Sequence, residues 1–206
     1  MKEFIRSYID ALKKDLDNIS FEKVEQLVRM LKESHDNDGS IFIIGNGGSA
    51  SLASHMACDL SKGTLKRYYN DGEKRLRVIS LVDNIPLITA FANDLSYEEI
   101  FVQQLRGLLK PEDVVLIITG SGNSKNLIRA AQFAKGRKAK VFGIIGFDGG
   151  ELIHLVDDYI HLPIHDYGRI EDCHLALNHI ITSCFYKYKD ELDRQKKIDT
   201  NDSLSN

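Results

Sequence analysis

The chain has 206 residues, of which 43% are hydrophobic and 28% are charged, and its formal net charge is −3 at pH 7. This length predicts a single soluble domain with enough apolar residues for a core. The slightly acidic balance argues against a nucleic-acid-binding protein, and no apolar run is long enough to cross a bilayer. Three scattered cysteines form no CxxC pair and no disulfide framework, which predicts a reducing, cytoplasmic location.

Two amphipathic helices are predicted at the start of the chain, over residues 2–17 and 20–36, because apolar residues recur there at helical spacing. Ser20 is a candidate cap for the second helix, and the polar segment 36–39 ends it. The apolar faces of both helices need a partner, which is either the core of the same chain or another subunit.

Strands and helices alternate in the rest of the chain. Strands are predicted over residues 41–44, 76–81, 114–118, 140–145 and 159–162. Helices are predicted after residues 49 and 124, from Pro86 to Ala92, and over 97–109, 151–156 and 169–188. This alternation predicts an α/β fold with three α-β-α layers around a mostly parallel, doubly wound, five-stranded sheet.

The predicted domain covers residues 1–190 and includes the helical pair in residues 1–37. A polar and turn-rich stretch, residues 63–74, is predicted to be a mobile loop. Residues 191–206 are charged and then rich in Asp, Ser and Asn, which predicts a disordered tail.

The glycine-rich turn at residues 45–49 joins the first core strand to a helix. Ser49 is expected to cap this helix, whose first N–H groups and partial positive charge suit an anion. His55 and Asp59 lie four residues apart and therefore share one face of the same helix. The turn fits neither the P-loop nor the complete dinucleotide pattern, so the turn taken alone favours an ordinary glycine-rich strand–helix connection over a phosphate site.

A second turn, residues 119–124, brings several hydroxyl groups to the start of another helix. Thr119, Ser121 and Ser124 provide more hydroxyls than one cap requires, which favours a phosphate monoester over serines that only cap. No lysine of the Walker type is adjacent, which favours a sugar phosphate over a nucleoside triphosphate. Both turns follow strands of one parallel sheet, so they are expected at the same edge.

The last predicted helix carries Glu171 and His179, about two turns apart and expected to face nearly the same way. His174 points elsewhere and is interpreted as a supporting or structural residue. Together with His55 and Asp59, these two side chains form a set of two imidazoles and two carboxylates that suits tetrahedral zinc. The alternative is an exposed acid and a packed histidine.

The motifs GNGGSA, H-x-x-x-D, N-D, T-G-S-G-N-S and R-I-E-x-x-H-x-x-x-x-H, in this order, resemble the sugar isomerase (SIS) domain. More narrowly, the chain is similar to bacterial phosphoheptose isomerases over about residues 1–190. The resemblance implies a SIS, flavodoxin-like fold and an aldose–ketose isomerase that acts on sedoheptulose 7-phosphate through an enediol, for surface glycan biosynthesis. It also implies bound zinc and a homotetramer with active sites between subunits.

The resemblance assigns roles to individual residues. Substrate binding is implied for Asn46, Gly47, Gly48, Ser49, Asn93, Asp94, Thr119, Gly120, Ser121, Ser124 and Glu171. Metal binding is implied for His55, Asp59, Glu171 and His179. In catalysis, Asp59 is implied as the base and His179 as the residue that shuttles protons.

The chain departs from the family pattern at several positions. Asp59 stands where the family usually has glutamate, and its side chain is one methylene shorter. Glu171 replaces a glutamine and adds a negative charge that favours a cation. The phosphate loop reads T-G-S instead of S-T-S. The usual arginine is Gly63 here, and the basic residues that are candidates to replace it are Lys62, Lys66 and Arg67.

Two alternative functions stay open at the level of sequence. One is a non-catalytic SIS protein that binds a partner, such as a replication initiator; such relatives tend to have neutral residues in place of the acid and the histidine. Asp59 and His179 are both ionisable, which favours an enzyme. The other alternative is an isomerase of a different sugar phosphate.

Overall fold

The computed structural model describes the backbone of residues 1–203 and the side chains of residues 1–189. The α-helices in that part of the chain are α1 (Lys2–Asp17), α2 (Phe21–Asp36), α3 (Gly48–Lys62), α4 (Ile85–Asp94), α5 (Val102–Leu108), α6 (Lys125–Gly136) and α7 (Tyr167–Ser203). The strands are β1 (Ser40–Ile44), β2 (Arg77–Ser80), β3 (Val114–Thr119), β4 (Lys140–Ile145) and β5 (Asp158–His161). Two short 3₁₀ turns are Tyr97–Glu99 and Leu152–His154.

The five strands form one sheet in the order β2-β1-β3-β4-β5, and every pair of neighbours is parallel. β1 and β3 are buried along their whole length, as expected of continuous apolar runs covered on both faces. One core lies between the sheet and α2, α3 and α7, and the other lies between the sheet and α5 and α6. The predicted three-layer α/β fold is confirmed.

The two N-terminal helices find their partners within the chain. α2 packs on the sheet, and its predicted cap is confirmed because Ser20 Oγ accepts a hydrogen bond from the N–H of Lys23 at 3.3 Å. α1 has no fully buried residue. It lies against α7, where Asp15 forms an ion pair with Arg169. Part of the apolar face of α1 therefore stays exposed.

The segment after β2 differs from its prediction. α4 continues through Asn93 and Asp94, which the sequence predicts as a polar break. The chain breaks instead at Ser96, whose extended backbone (φ −167°) separates α4 from the next turn. The helix predicted over 97–109 is divided into the first 3₁₀ turn and α5, and the helix predicted over 151–156 is only the second 3₁₀ turn.

The loop predicted to be mobile, residues 63–74, is anchored to α7 through Glu73. Its carboxylate accepts hydrogen bonds from the N–H groups of Lys66 and Arg67, each at 3.1 Å, and from Lys189 Nζ at 2.7 Å. The Lys189 and Glu73 side chains are only 12% and 11% exposed, so water screens this ion pair weakly.

α7 is the longest helix of the chain, with 37 residues. The sequence predicts that this helix ends at residue 188 and that a disordered tail follows over 191–206, whereas the helical backbone continues to Ser203. The side chains from residue 190 onward lie outside the described residues. Among the described residues, no helix combines the length and the apolar character that a membrane span requires.

Candidate active site

A cavity of about 240 Å³ lies at the carboxyl ends of β1 and β3, between the two glycine-rich turns and the first turns of α7. The strand order reverses at this point, which is where open α/β sheets bind ligands. The lining residues are Asn46, Gly47, Gly48, Ser49, Thr119, Gly120, Ser121, Ser124, Tyr167, Ile170, Glu171 and His174. The predicted substrate-binding residues all line this cavity except Asn93 and Asp94.

Asn93 and Asp94 are the last two residues of α4, and both are exposed. Asn93 Nδ2 donates a hydrogen bond to Asp94 Oδ1 at 2.9 Å. Neither residue lines the cavity of its own chain, so their contact with the sugar stays a prediction.

Glycines in the turn at residues 45–49 allow the backbone conformation from which α3 begins. Gly47 precedes the helix with φ +56°, a conformation that glycine adopts without strain. The predicted capping role of Ser49 is wrong, because α3 begins at Gly48 and no side chain caps it. Ser49 is the second residue of the helix and is buried. The N-cap position of α3 is therefore occupied by Gly47, which has no side chain.

Glu171 on α7 lies next to the start of α3. Its carboxylate lies against Gly48, where a Cβ atom would collide with it. A carboxylate is stabilised at this end of a helix by the partial positive charge of the N-terminus. The chain thus places its own negative charge at the site where the sequence predicts a seat for an anionic ligand.

The first turn of α6, after the second glycine-rich turn, has a local side-chain hydrogen bond, which the Leu127 N–H donates to Asn126 Oδ1 at 3.0 Å. Thr119 Oγ1 accepts a hydrogen bond from the N–H of Gly122 at 3.2 Å, which shapes the turn. Ser124 precedes α6, but its side chain makes no cap bond. The alternative interpretation, in which Ser124 serves only as a helix cap, is therefore not supported. Ser124 also lines the cavity.

Three side chains join the two turns. Asn46 and Asn126 exchange two amide hydrogen bonds of 2.9 Å each, and the Tyr97 hydroxyl donates to Asn46 Oδ1 at 3.0 Å. Asn126 is buried. The side chain of Asn46, predicted to bind substrate, thus holds the first turn against α6. Asn126 and Tyr97 lie 80 and 51 residues away in the chain, so no local pattern indicates them.

A cluster of two imidazoles and one carboxylate lies where α3 meets α7. His55 Nε2 is 3.0 Å from Asp59 Oδ2, His179 Nε2 is 3.6 Å from the same oxygen, and the two Nε2 atoms are 3.3 Å apart. Asn178, which the sequence analysis does not identify, is fully buried and donates a hydrogen bond to Asp59 Oδ2 at 2.7 Å.

These distances fit a small metal ion. A tetrahedral zinc ion with bonds of about 2.0 Å holds its ligand atoms about 3.3 Å apart, and the three separations in the cluster bracket this value. Glu171 is not part of the group, whose ligand atoms lie within 4.8 Å of one another. Eight residues of helix rotate by about 80° beyond two full turns and rise by about 12 Å. Because of this rotation and rise along α7, the side chain of Glu171 does not face the same point as that of His179.

His174 is the other imidazole of the site, and it lines the floor of the cavity. It is 1% exposed, and neither ring nitrogen has a hydrogen-bond partner among the described residues. Burial lowers the pKa of His174 to about 4, so the ring is neutral at pH 7.

The basic residues considered as replacements for the family's arginine lie toward the far end of α3. The helix places Lys62 about 20 Å from Gly48, which borders the cavity. The backbone N–H groups of Lys66 and Arg67 are bound to Glu73 in the following loop. Their role as replacements stays a prediction.

The fold and the cavity match a known class of proteins. A family model described as "SIS domain" matches residues 4–146, which include both turns and the helix with His55 and Asp59. The architecture and the cavity described above are thus those of a SIS domain.

Relatives narrow this class. The phosphoheptose isomerase of Helicobacter pylori (strain P12) is 39% identical over 187 residues, which cover 91% of this chain and 94% of that protein. A solved phosphoheptose isomerase from Neisseria gonorrhoeae superposes with a TM-score of 0.80 at 28% identity, covering 89% of this chain and 97% of that one. One from Francisella tularensis gives 0.81 at 25% identity, covering 90% and 97%. The chain belongs to the phosphoheptose isomerase family.

Proposed function

We propose that this protein is an aldose–ketose isomerase that converts sedoheptulose 7-phosphate to D-glycero-D-manno-heptose 7-phosphate, as a source of heptose for surface glycans. The observation that carries the proposal is the cluster of His55, Asp59 and His179 on α3 and α7, the two helices whose first turns line the cavity suited to a phosphate ester. A non-catalytic SIS regulator is not favoured, because the ionisable groups needed for proton transfer are present and assembled. The free cysteines support a reducing, cytoplasmic setting.

The phosphate is assigned to the turn at residues 119–124. The hydroxyl-bearing residues Thr119, Ser121 and Ser124 line the cavity there, and the N-terminus of α6 adds its partial positive charge. The alternative phosphate site is the N-terminus of α3. The carboxylate of Glu171 already lies against it and would repel a phosphate dianion.

The cluster is assigned as a zinc site with His55 Nε2, Asp59 Oδ2 and His179 Nε2 as ligands. The nitrogen and oxygen donors suit zinc, and three protein ligands leave one position for substrate. Glu171, the fourth ligand implied by the resemblance, stays a prediction. When bound, zinc polarises the carbonyl oxygen of the sugar.

The proton transfers of the isomerisation are assigned to Asp59 and His179. The contacts of Asp59 with His55 and Asn178 both use Oδ2, which leaves Oδ1 to remove the proton from C1 of the ketose and return it to C2. The contacts of His179 within the cluster use Nε2, so the other ring nitrogen, Nδ1, is the atom assigned to move the hydroxyl proton between the two oxygens of the enediol. No proton is gained or lost overall, as an isomerisation requires.

The first prediction tests these roles with Asp59→Asn and His179→Ala. Each variant should reduce conversion of sedoheptulose 7-phosphate by at least about 100-fold, because each removes a group that transfers protons. The measurement is appearance of the aldose phosphate by NMR, with zinc content determined on the same samples. The amide of the Asp59→Asn variant retains an oxygen ligand, so the zinc content of that variant separates loss of the base from loss of the metal.

The matched control is Asp71→Asn, an exposed carboxylate in the loop after α3. This variant should convert the substrate at the wild-type rate. Near-normal turnover in either site variant contradicts the assigned role of that residue, and an inactive wild-type protein contradicts the proposed function.

A homotetramer with active sites between subunits is part of the proposal. Large apolar side chains support it: Phe4 on α1 is 68% exposed and Ile85 on α4 is 66% exposed. None of the residues of α4 is fully buried in the single chain. An apolar helix that leaves large side chains such as Ile85 exposed favours contact with another copy.

A further inference from the structure

His174 is a buried polar side chain without a protein partner. It is 1% exposed, and both of its ring nitrogens lack a hydrogen-bond partner among the described residues. Leaving a buried donor or acceptor unpaired is costly, so native proteins rarely retain such a group without a use. Because His174 is one of the residues that line the cavity, a ligand bound there is the candidate partner for the ring.

The cavity has two chemically different walls. The turn at residues 119–124 presents hydroxyls and a helix N-terminus, which suit a phosphate dianion. The wall formed by α7 presents the carboxylate of Glu171 and the imidazole of His174. A phosphate placed against Glu171 would be repelled, so the neutral part of the ligand lies along α7.

The chemistry of a neutral imidazole matches that neutral part. One ring nitrogen donates a hydrogen bond and the other accepts one. A hydroxyl group also both donates and accepts, whereas a phosphate dianion only accepts. The carboxylate of Glu171 is a further acceptor on the same wall for a hydroxyl of the same ligand.

We propose that His174 hydrogen-bonds a hydroxyl group on the sugar chain of the bound phosphate ester and thereby helps the site distinguish a polyhydroxy sugar phosphate from phosphate alone. This inference rests on the proposed function for the nature of the ligand. It assigns His174 to binding and specificity, and the transfer of protons stays with Asp59 and His179.

Titration calorimetry with two ligands tests the inference. His174→Leu should bind sedoheptulose 7-phosphate about tenfold more weakly, a loss of about 1.4 kcal/mol, while the affinity for inorganic phosphate stays within about twofold. His174→Gln retains a donor and an acceptor, and its affinity for the sugar phosphate should stay within about threefold of the wild type.

Two further measurements separate binding from folding. Cys173→Ala changes the neighbouring buried residue of α7 and should leave both affinities unchanged. The melting temperature of His174→Leu should not fall, because the substitution removes unpaired polar atoms from the interior. A structural histidine would instead destabilise the protein on removal.

Unchanged affinity for the sugar phosphate in His174→Leu, or an equal loss for both ligands, overturns the inference. So does a His174→Gln variant that binds no better than His174→Leu. Failure of the proposed function is a separate result: a wild-type protein that binds sedoheptulose 7-phosphate without converting it is no isomerase, and the binding comparison still decides the role of His174.

Discussion

Asn178 connects the buried packing of α7 to the candidate base. Its amide is fully buried and donates to Asp59 Oδ2 at 2.7 Å. Asp59 is one methylene shorter than the glutamate usual in the family, so its carboxylate has less reach toward a substrate. A fixed hydrogen bond from the facing helix limits where this short side chain can point. We therefore expect Asn178 to position Asp59 without touching the substrate.

Asn178→Leu tests this expectation. The kcat should fall between about tenfold and 100-fold, because small displacements of a catalytic group have effects of this size, and KM should change less than about twofold. Asn178→Asp has nearly the same shape but opposes Asp59 with a like charge, so its kcat should fall further. Steady-state kinetics with sedoheptulose 7-phosphate measures both parameters.

The control for Asn178 is Thr182→Val, one turn further along the same buried stripe of α7. The Thr182 hydroxyl has no hydrogen-bond partner among the described residues. This variant should retain the wild-type kcat. An Asn178→Leu variant whose kcat is unchanged, or whose KM alone rises, contradicts a positioning role.

At the scale of elements, one ion pair joins the loop after α3 to α7. Burial raises the pKa of Glu73, but hydrogen bonds from Lys189 and from the N–H groups of Lys66 and Arg67 outweigh this effect and lower the pKa from 4.5 to about 2. A carboxylate with a depressed pKa stabilises the fold above its unfolded-state pKa. That stabilisation is lost as the pH falls from about 4.5 toward 2.

The free energy of unfolding should reflect this linkage. The wild type should lose roughly 3 kcal/mol from Glu73 as the pH falls through this range. Glu73→Gln should be less stable at pH 7 by an amount of the same order, and its stability should depend less on pH between 4.5 and 2. Urea denaturation at several pH values measures the difference.

Glu25→Gln provides the comparison, since Glu25 pairs with Arg29 on an exposed helix face with 69% of its side chain accessible. Exposed pairs of this kind contribute about 0–1 kcal/mol. If the two variants lose the same stability, the loop is not anchored through Glu73.

At the scale of the whole molecule, the sheet could be predicted from the sequence because each strand is indicated by residues that are adjacent in the chain. The runs 41–44 and 114–118 are continuously apolar, which indicates strands covered on both faces. The rule that parallel strands end at one edge then brings the two glycine-rich turns together. The same local reasoning does not show that the segment 97–109 divides between Glu99 and Val102 into a 3₁₀ turn and α5.

The candidate site could be predicted only in part. The pairing of His55 with Asp59 follows from helix periodicity, and the resemblance adds His179. The position of Glu171 depends on how α7 crosses the start of α3, which no local pattern contains. The partners of Asn46 come from distant parts of the chain for the same reason. Helix crossing and long-range hydrogen bonds arise from packing, and a single sequence does not encode them locally.

In the proposed homotetramer, a neighbouring subunit would bring together parts of the site that lie apart in a single chain. Within one chain, His55, Asp59 and His179 form the cluster, whereas Asp94 lies at the exposed end of α4 and does not line the cavity. If Asp94 binds the sugar, it reaches the cavity of a neighbouring subunit. The exposed apolar residues of α4 are suited to form that contact.

Mixing two inactive variants tests this arrangement. Asp59→Asn and Asp94→Asn chains, unfolded together and reassembled in equal amounts, should recover about a quarter of wild-type activity, because a random mixture leaves that fraction of shared sites intact. Asp59→Asn mixed with His179→Ala should recover none, since these side chains belong to one chain's cluster. Light scattering checks that each mixture is tetrameric. A tetramer without recovery in the first mixture means that each chain builds its site alone.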